Sequence, residues 1–219
     1  MNRRDLAREH HNRMLDEYYK YTDFSFGTST VYSGIGQTTP EVIIENTDCV
    51  SAAQNLGEEV TILNFASYKH PGGGFIYGSF AQEESLCHES NLYEILSSKE
   101  FENYYEYNKS HINRGLYMNR AIFTPEVMFE RNDNIFFYNV LTCAAPNYKV
   151  AISNGIKHDE IVETYRQRLK FIYNILVKQM QQTLVAGLWG CGVFGFPKDV
   201  AIELFKEEAL IDTILAIPN

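Results

Sequence analysis

Two adjacent carboxylates, Glu83 and Glu84, follow a run of three glycines, Gly72, Gly73 and Gly74, with Phe75 to Ala81 in between. Paired carboxylates suit acid–base work, one acting as acid while the other grips a hydroxyl. Three glycines in a row leave a backbone that can present N–H groups to phosphate or let a ribose approach closely. If a helix starts near Gln82, its neighbouring acids project about 100° apart, so both can border one cleft without sharing a role. Plainer readings exist: the glycines as a mobile turn, and the acids as helix-start residues complementing the macrodipole.

A second glycine-rich loop is Gly190-Cys191-Gly192-Val193-Phe194-Gly195, formally a G-x-G-x-x-G. In dinucleotide-binding units this pattern seats a pyrophosphate over a helix N-terminus. Little chain follows, and the acid near the expected offset, Asp212, opens a strand instead of ending one. Phosphate binding survives that objection and nicotinamide chemistry does not. Cys191 lacks the spacing of a nucleophile elbow and has no histidine placed beside it, so it reads as a small buried residue. His88 belongs to no HExxH, and His10 and His11 fall on a solvated opening helix, so the histidines are assigned no chemistry.

These loops need strands to carry them. Leu6, Met14, Leu15 and Tyr18 recur at helical spacing in the first twenty residues. Strands are expected at 41–45, 60–65, 135–141, 183–188 and 213–217, with shorter strand-like runs at 121–123 and 127–129. Helices are expected from about 47 to 56, after Gln82, at 158–180 and at 197–210. Strands alternating with helices imply a largely parallel sheet covered on both faces, with ligands outside the carboxyl ends of its strands. Both glycine loops follow strands and should reach that edge together.

The 219 residues suffice for one domain with a single core, and 45% hydrophobic with 21% charged residues is ordinary globular usage. A formal charge of −9 argues against general nucleic-acid binding, so an anionic ligand must be met by local N–H groups. Four scattered cysteines form no CxxC, which disfavours a disulfide scaffold or structural metal site. With no long apolar run and no membrane association expected, the reading is a soluble, intracellular, cytoplasmic protein.

The segment NFASYKHPGGGFIYGSFAQEESLCHESNLYEIL resembles the signature of bacterial-type poly(ADP-ribose) glycohydrolases, a branch of the macrodomain superfamily: three glycines, six to eight residues, then QEE. VIIENTDCVSAAQNL, TPEVMFERND, NVLTCAAPN and LVAGLWGCGVFG resemble further family blocks in the expected order, so the similarity runs from about Val42 onward. The resemblance implies a three-layer α/β/α fold around a mixed, largely parallel sheet, as one catalytic domain over 1–219 with residues 1–40 an N-terminal helix and extension.

It further implies release of ADP-ribose from poly(ADP-ribose) with no metal or cofactor, and the charge of −9 fits recognition of one terminal unit, hence mainly exo-type cleavage. By the same match Glu84 is the catalytic acid and base, Glu83 holds ribose, Gln82 supports the loop and Phe194 packs on the distal ribose. Asn64 is the strand-end asparagine, while Ser67 stands where macrodomains often carry Asn. The diphosphate would rest on N–H groups of both loops, Gly72–Phe75 and Gly190–Gly195. ADP-ribosylated proteins are the implied partners of a monomer. The alternatives are hydrolysis of mono-ADP-ribose from protein or nucleic acid, and a module that binds ADP-ribose without cleaving it.

Overall fold

The structure is a computed structural model that describes residues 2–21, 39–57 and 60–218. In chain order these form α1 (Arg3–Tyr21), β1 (Val42–Glu45), α2 (Cys49–Leu56), β2 (Val60–Phe65), α3 (Gln82–His88), α4 (Leu92–Leu96), α5 (Glu102–Ser110), β3 (Ala121–Arg131), β4 (Asn134–Cys143), α6 (Tyr148–Ser153), α7 (His158–Lys178), β5 (Thr183–Ala186), α8 (Lys198–Glu208) and β6 (Asp212–Ala216). The strands make one sheet in the order β1-β6-β5-β2-β4-β3, parallel throughout except for antiparallel β3 at one edge.

Alternation along the strands divides the interior in two. Ile62, Val140, Val185 and Ile214 point into a core with α2, α3 and α4, while Leu63, Leu141, Leu184 and Leu215 point into another built with α7 and α8. Strands apolar on both faces need helices on both, which gives the three-layer arrangement. In α7 the residues Ile161, Tyr165, Leu169, Ile172 and Leu176 are buried, the face expected from their spacing. β2 and β5 are parallel neighbours, so the loops after Phe65 and Ala186 emerge side by side.

Four local expectations are corrected. The runs at 121–123 and 127–129 are one strand, its register shifting between Thr124 and Val127 where Pro125 has no N–H to offer. β3 returns as β4 through Asn132 and Asp133, whose φ values of +53° and +62° suit a tight hairpin turn.

The helix after Gln82 is split, because Ser90 bridges Phe129 and Asn91 exchanges hydrogen bonds with Met128. The inward face of α1 is Ala7, His10 and Met14, with Leu6 half exposed; the side chains of Leu15 and Tyr18 lie outside the described residues. His10 is therefore not solvated: its Nε2 meets the carbonyl of Ser90, and burial lowers its pKa to about 4. His11 pairs with Glu94.

Candidate active site

Past the end of β2 the chain turns through Gly72 and Gly73, both left-handed at φ +63° and +60°, and then enters α3. A Cβ on Gly73 would stand 2.5 Å from Glu84 Oε1 and 3.0 Å from Glu83 Oε2, so glycine lets the loop lie directly against both carboxylates. Glu84 is held by backbone: the Gly74 N–H donates to Oε1 at 2.8 Å and the Ala81 N–H to Oε2 at 3.0 Å. Glu83 accepts from the Ser67 N–H at 2.6 Å and from Asn64 Nδ2 at 3.2 Å.

Both acids are nearly closed to solvent, at 3% exposure for Glu83 and 7% for Glu84. Burial pushes the Glu83 pKa up to about 8; the Ser67 and Asn64 hydrogen bonds oppose this and the neighbouring Glu84 reinforces it. Glu83 thus holds a proton at neutral pH.

A cavity of about 370 Å³ opens over the acids, lined by Ser67, Tyr68, Lys69, Gly73, Glu83, Glu84, Tyr117, Asn147 and Phe194 among others. Tyr68 and Tyr117 stack at 4.1 Å between centroids, and Phe194 meets Tyr117 edge-on. A second lobe of about 350 Å³ shares Phe65, Ala81, Val193 and Phe194 with the first and is walled by Gly190, Cys191, Gly192, Gln82 and Lys198. A third, of about 600 Å³, adjoins the second at Phe65, Ala81, Gln82, Leu188 and Lys198 and reaches Asp48, Phe80 and Arg131. There Arg131 bridges Asp48 and Glu89. Burial raises the Asp48 pKa, but hydrogen bonds from Arg131 and Ser51 outweigh it and hold the carboxyl down at about 2.

In the second glycine loop the N–H groups of Cys191, Gly195 and Phe196 close turns onto Leu188, Gly192 and Gly190. Those of Gly192, Val193 and Phe194 meet no acceptor among the described residues. Three successive free N–H groups beside a lysine form an anion-binding concavity. Nothing stands within 4 Å of where a Cβ on Gly192 would be, and Val193 is 76% exposed. Burial raises the Cys191 thiol to about 12, which keeps it protonated at neutral pH.

Not every residue expected at the ligand reaches it. Phe75 is 1% exposed and packs on His88 and Tyr93 in the core, since its turn points the ring inward. Gly72 faces the Tyr93 ring and Cys87, and Gly74 faces Ser79. The first loop's N–H groups are engaged inside it: Gly73 on His70, Gly74 on Glu84, Phe75 on Gly72. The Gly74 N–H fixes Glu84, and none of these three N–H groups is left open to the cavity.

Gly195 packs on the stem of Lys149. Asn64 is fully buried and donates to Glu83 and Thr142, which makes it a support of the acid. Gln82 joins α3 to β2, accepting from the Phe65 N–H and donating to the Leu63 carbonyl. Tyr68, Tyr117, Asn147 and Lys198 escaped the sequence reading. Tyr117 left one signal, a position in a polar aromatic stretch just after Gly115.

The family model for the microbial-type PARG catalytic domain matches residues 4–132. The chain belongs to this family. The match includes both acids and the first glycine loop, and the solved PARG structures extend the likeness to the second. The poly(ADP-ribose) glycohydrolase of Thermomonospora curvata superposes with a TM-score of 0.76 at 25% identity, covering 97% of this chain and 82% of that one. Its complex with the inhibitor ADP-HPD gives 0.73 at 29% identity over 82% and 73%. The Deinococcus radiodurans enzyme in complex with ADP-ribose gives 0.71 at 32% identity, over 82% and 78%. No curated protein matches the chain. Among the described residues no helix is long and apolar enough to cross a membrane.

Proposed function

We propose that this PARG-family protein hydrolyses poly(ADP-ribose) at the ribose–ribose bond and releases ADP-ribose. The observation that carries the reading is the pair of buried carboxylates under Gly73, at the floor of a cavity continuous with a loop of three unengaged N–H groups. The distal ribose lies over Glu83 and Glu84 against Phe194, the diphosphate on Gly192–Phe194 near Lys198, and the adenosine in the large lobe by Phe80.

Cleavage passes through an oxocarbenium-like state and needs a proton on the departing 2′-oxygen. Glu84, fixed by two backbone amides, delivers that proton and then takes one from the attacking water. Glu83, protonated at neutral pH, donates a hydrogen bond to the ribose. Acid–base chemistry of this kind needs no metal and no cofactor.

The acidic surface of a chain carrying −9 favours capture of one terminal unit over tracking along a polyanion, hence exo-type cleavage. We place the activity in a single catalytic domain acting as a cytoplasmic monomer on polymer attached to ADP-ribosylated proteins. Labelled poly(ADP-ribose) and a mono-ADP-ribosylated protein, assayed side by side, test the reading. Free ADP-ribose should appear from the polymer at the earliest time points. Release from the mono-modified protein alone overturns polymer hydrolysis, and early oligomers overturn the exo assignment.

A further inference from the structure

Beside the catalytic cavity lies another, of about 470 Å³, edged by Tyr107, Met118, Arg120, Gln167 and Arg168. Tyr117 lines both cavities, so the Ile112–Met118 loop is their shared wall. Three of its non-glycine residues are left-handed, Asn113, Arg114 and Tyr117 at φ +41°, +54° and +62°. Such strain is held only where surrounding structure enforces it.

The charge of this cavity is opposite to that of the chain. Arg168 is 1% exposed, and its donors go to the carbonyls of Ala144 at 2.7 Å and Leu116 at 3.1 Å and to the Asn119 side chain, all neutral. Arg120 lies over the rings of Tyr104 and Tyr107 at 4.9 and 4.3 Å, with its Nε buried and unpartnered. Neither guanidinium has a carboxylate partner among the described residues. The acids closest along α7, Glu160 and Glu163, face Arg114 and Arg166. Buried cations without counter-charge are costly, and an arriving anion relieves that cost.

Tyr107 is 40% exposed, but both faces of its ring are taken, one by His111 stacked at 3.8 Å and 3° between planes and the other by Arg120. What the cavity offers a ligand is therefore guanidinium charge, the chemistry that receives a phosphate.

We propose that this cavity is a leaving-side subsite, holding the diphosphate of the ADP-ribose unit next to the one released. The inference rests on the reading of the chain as a polymer hydrolase. In a ribose–ribose bond the departing oxygen is the 2′-oxygen of an adenosine ribose, which also carries adenine at C1′ and a diphosphate through C5′. Whatever bond lies over Glu84, a base and a diphosphate emerge next to it on the leaving side. A subsite for that diphosphate favours polymer over ADP-ribose attached to a protein side chain, which brings none.

The test compares two substrates in the full-length protein: a linear ADP-ribose dimer, and ADP-ribose bearing a 4-nitrophenyl group at C1″, whose leaving group has no phosphate. Arg120→Leu removes a cation and Gln167→Glu adds an anion on an exposed position of α7. Each should raise KM for the dimer about tenfold with kcat nearly kept, and leave hydrolysis of the nitrophenyl substrate and ADP-ribose affinity within about twofold. Added salt should weaken dimer binding more than binding of the nitrophenyl substrate. Equal changes on both substrates, or none on either, overturn the subsite. If Arg120→Leu fails to fold, Gln167→Glu decides alone. A wild-type protein that leaves the dimer intact overturns the polymer reading together with the subsite; one that cleaves it, with variants indistinguishable from wild type, overturns the subsite alone.

Discussion

The two glycine loops look alike in sequence and do opposite work. Around Gly73 the backbone is folded in on itself, its N–H groups engaged and the space above it filled by carboxylates. Around Gly192 the backbone is open: among the described residues the N–H groups of Gly192, Val193 and Phe194 are unengaged and nothing fills the space beside Gly192. Glycine is needed in the first loop because a side chain would strike Glu84, while in the second a side chain would stand only in the open space beside the unengaged N–H groups. Glycine enrichment signals close approach to a backbone, and it does not say whether the approaching group belongs to the protein or to a ligand.

Under the proposed function the first loop holds the chemistry and the second holds the charge, and substitutions can pull these roles apart. The largest effect belongs to Glu84→Gln. Turnover should fall by about 10²–10⁴-fold while ADP-ribose affinity, read by calorimetry, stays near wild type, because a positioned acid acts in the transition state. Near wild-type release of ADP-ribose at any pH would remove Glu84 from the mechanism.

Gly73→Val and Gly192→Val test the loops directly. The first places a branched side chain at a left-handed residue against Glu84, so both turnover and melting temperature should drop, a misfit of this kind costing about 1–3 kcal/mol. The second should leave melting unchanged and weaken ADP-ribose binding by about tenfold or more, since the backbone can no longer be approached closely. If the two variants behave alike in thermal melts and calorimetry, the division of labour is wrong.

A smaller effect concerns Glu83. Its pKa is raised from about 4.5 in the unfolded chain to about 8 in the fold, so the folded protein holds a proton that the unfolded chain has lost. That contribution to stability is complete below pH 4.5 and disappears as pH rises through 8. Glu83→Gln should flatten the fall in melting temperature between pH 5 and pH 8 (about the window set by the two pKa values) while impairing both ribose binding and rate. A wild-type melting curve that rises through this window for reasons traceable to Glu83 would contradict the protonated assignment. The smallest effect is expected of Cys191→Ser: the thiol is protonated, so binding and rate should stay within about twofold. A folded, ligand-binding but inactive serine variant would make the thiol a nucleophile after all.

Legibility varied along the chain for identifiable reasons. α7 was readable because its apolar residues repeat at 3.6, and β2 because VTILNF is apolar on both faces. The bend at Ser90 and Asn91 was not, since a tertiary hydrogen bond to β3 stops a helix that local propensity would continue. His10 was misjudged for a related reason. Its neighbours Glu9 and Arg13 read as a solvated face, and only the docking of α1 against Ser90 turns the imidazole inward. The glutamates were found through their spacing from the glycines, whereas the Tyr68–Tyr117 stack unites residues from separate loops that no local pattern connects.

By itself the sequence determined the layered α/β architecture, the strand ends where chemistry gathers, and the two acids with the glycines that serve them. These depend on periodicity and on short spacings, which survive any later packing. Only the tertiary structure decided that Glu83 holds its proton, which loop leaves N–H groups unengaged, and where Arg120 and Arg168 stand without a carboxylate partner among the described residues. Protonation follows from burial, and N–H availability from which turns have closed. An unpaired cation follows from the absence of a neighbour brought by another segment. Each is a property of what surrounds a residue, and surroundings exist only once the chain has folded.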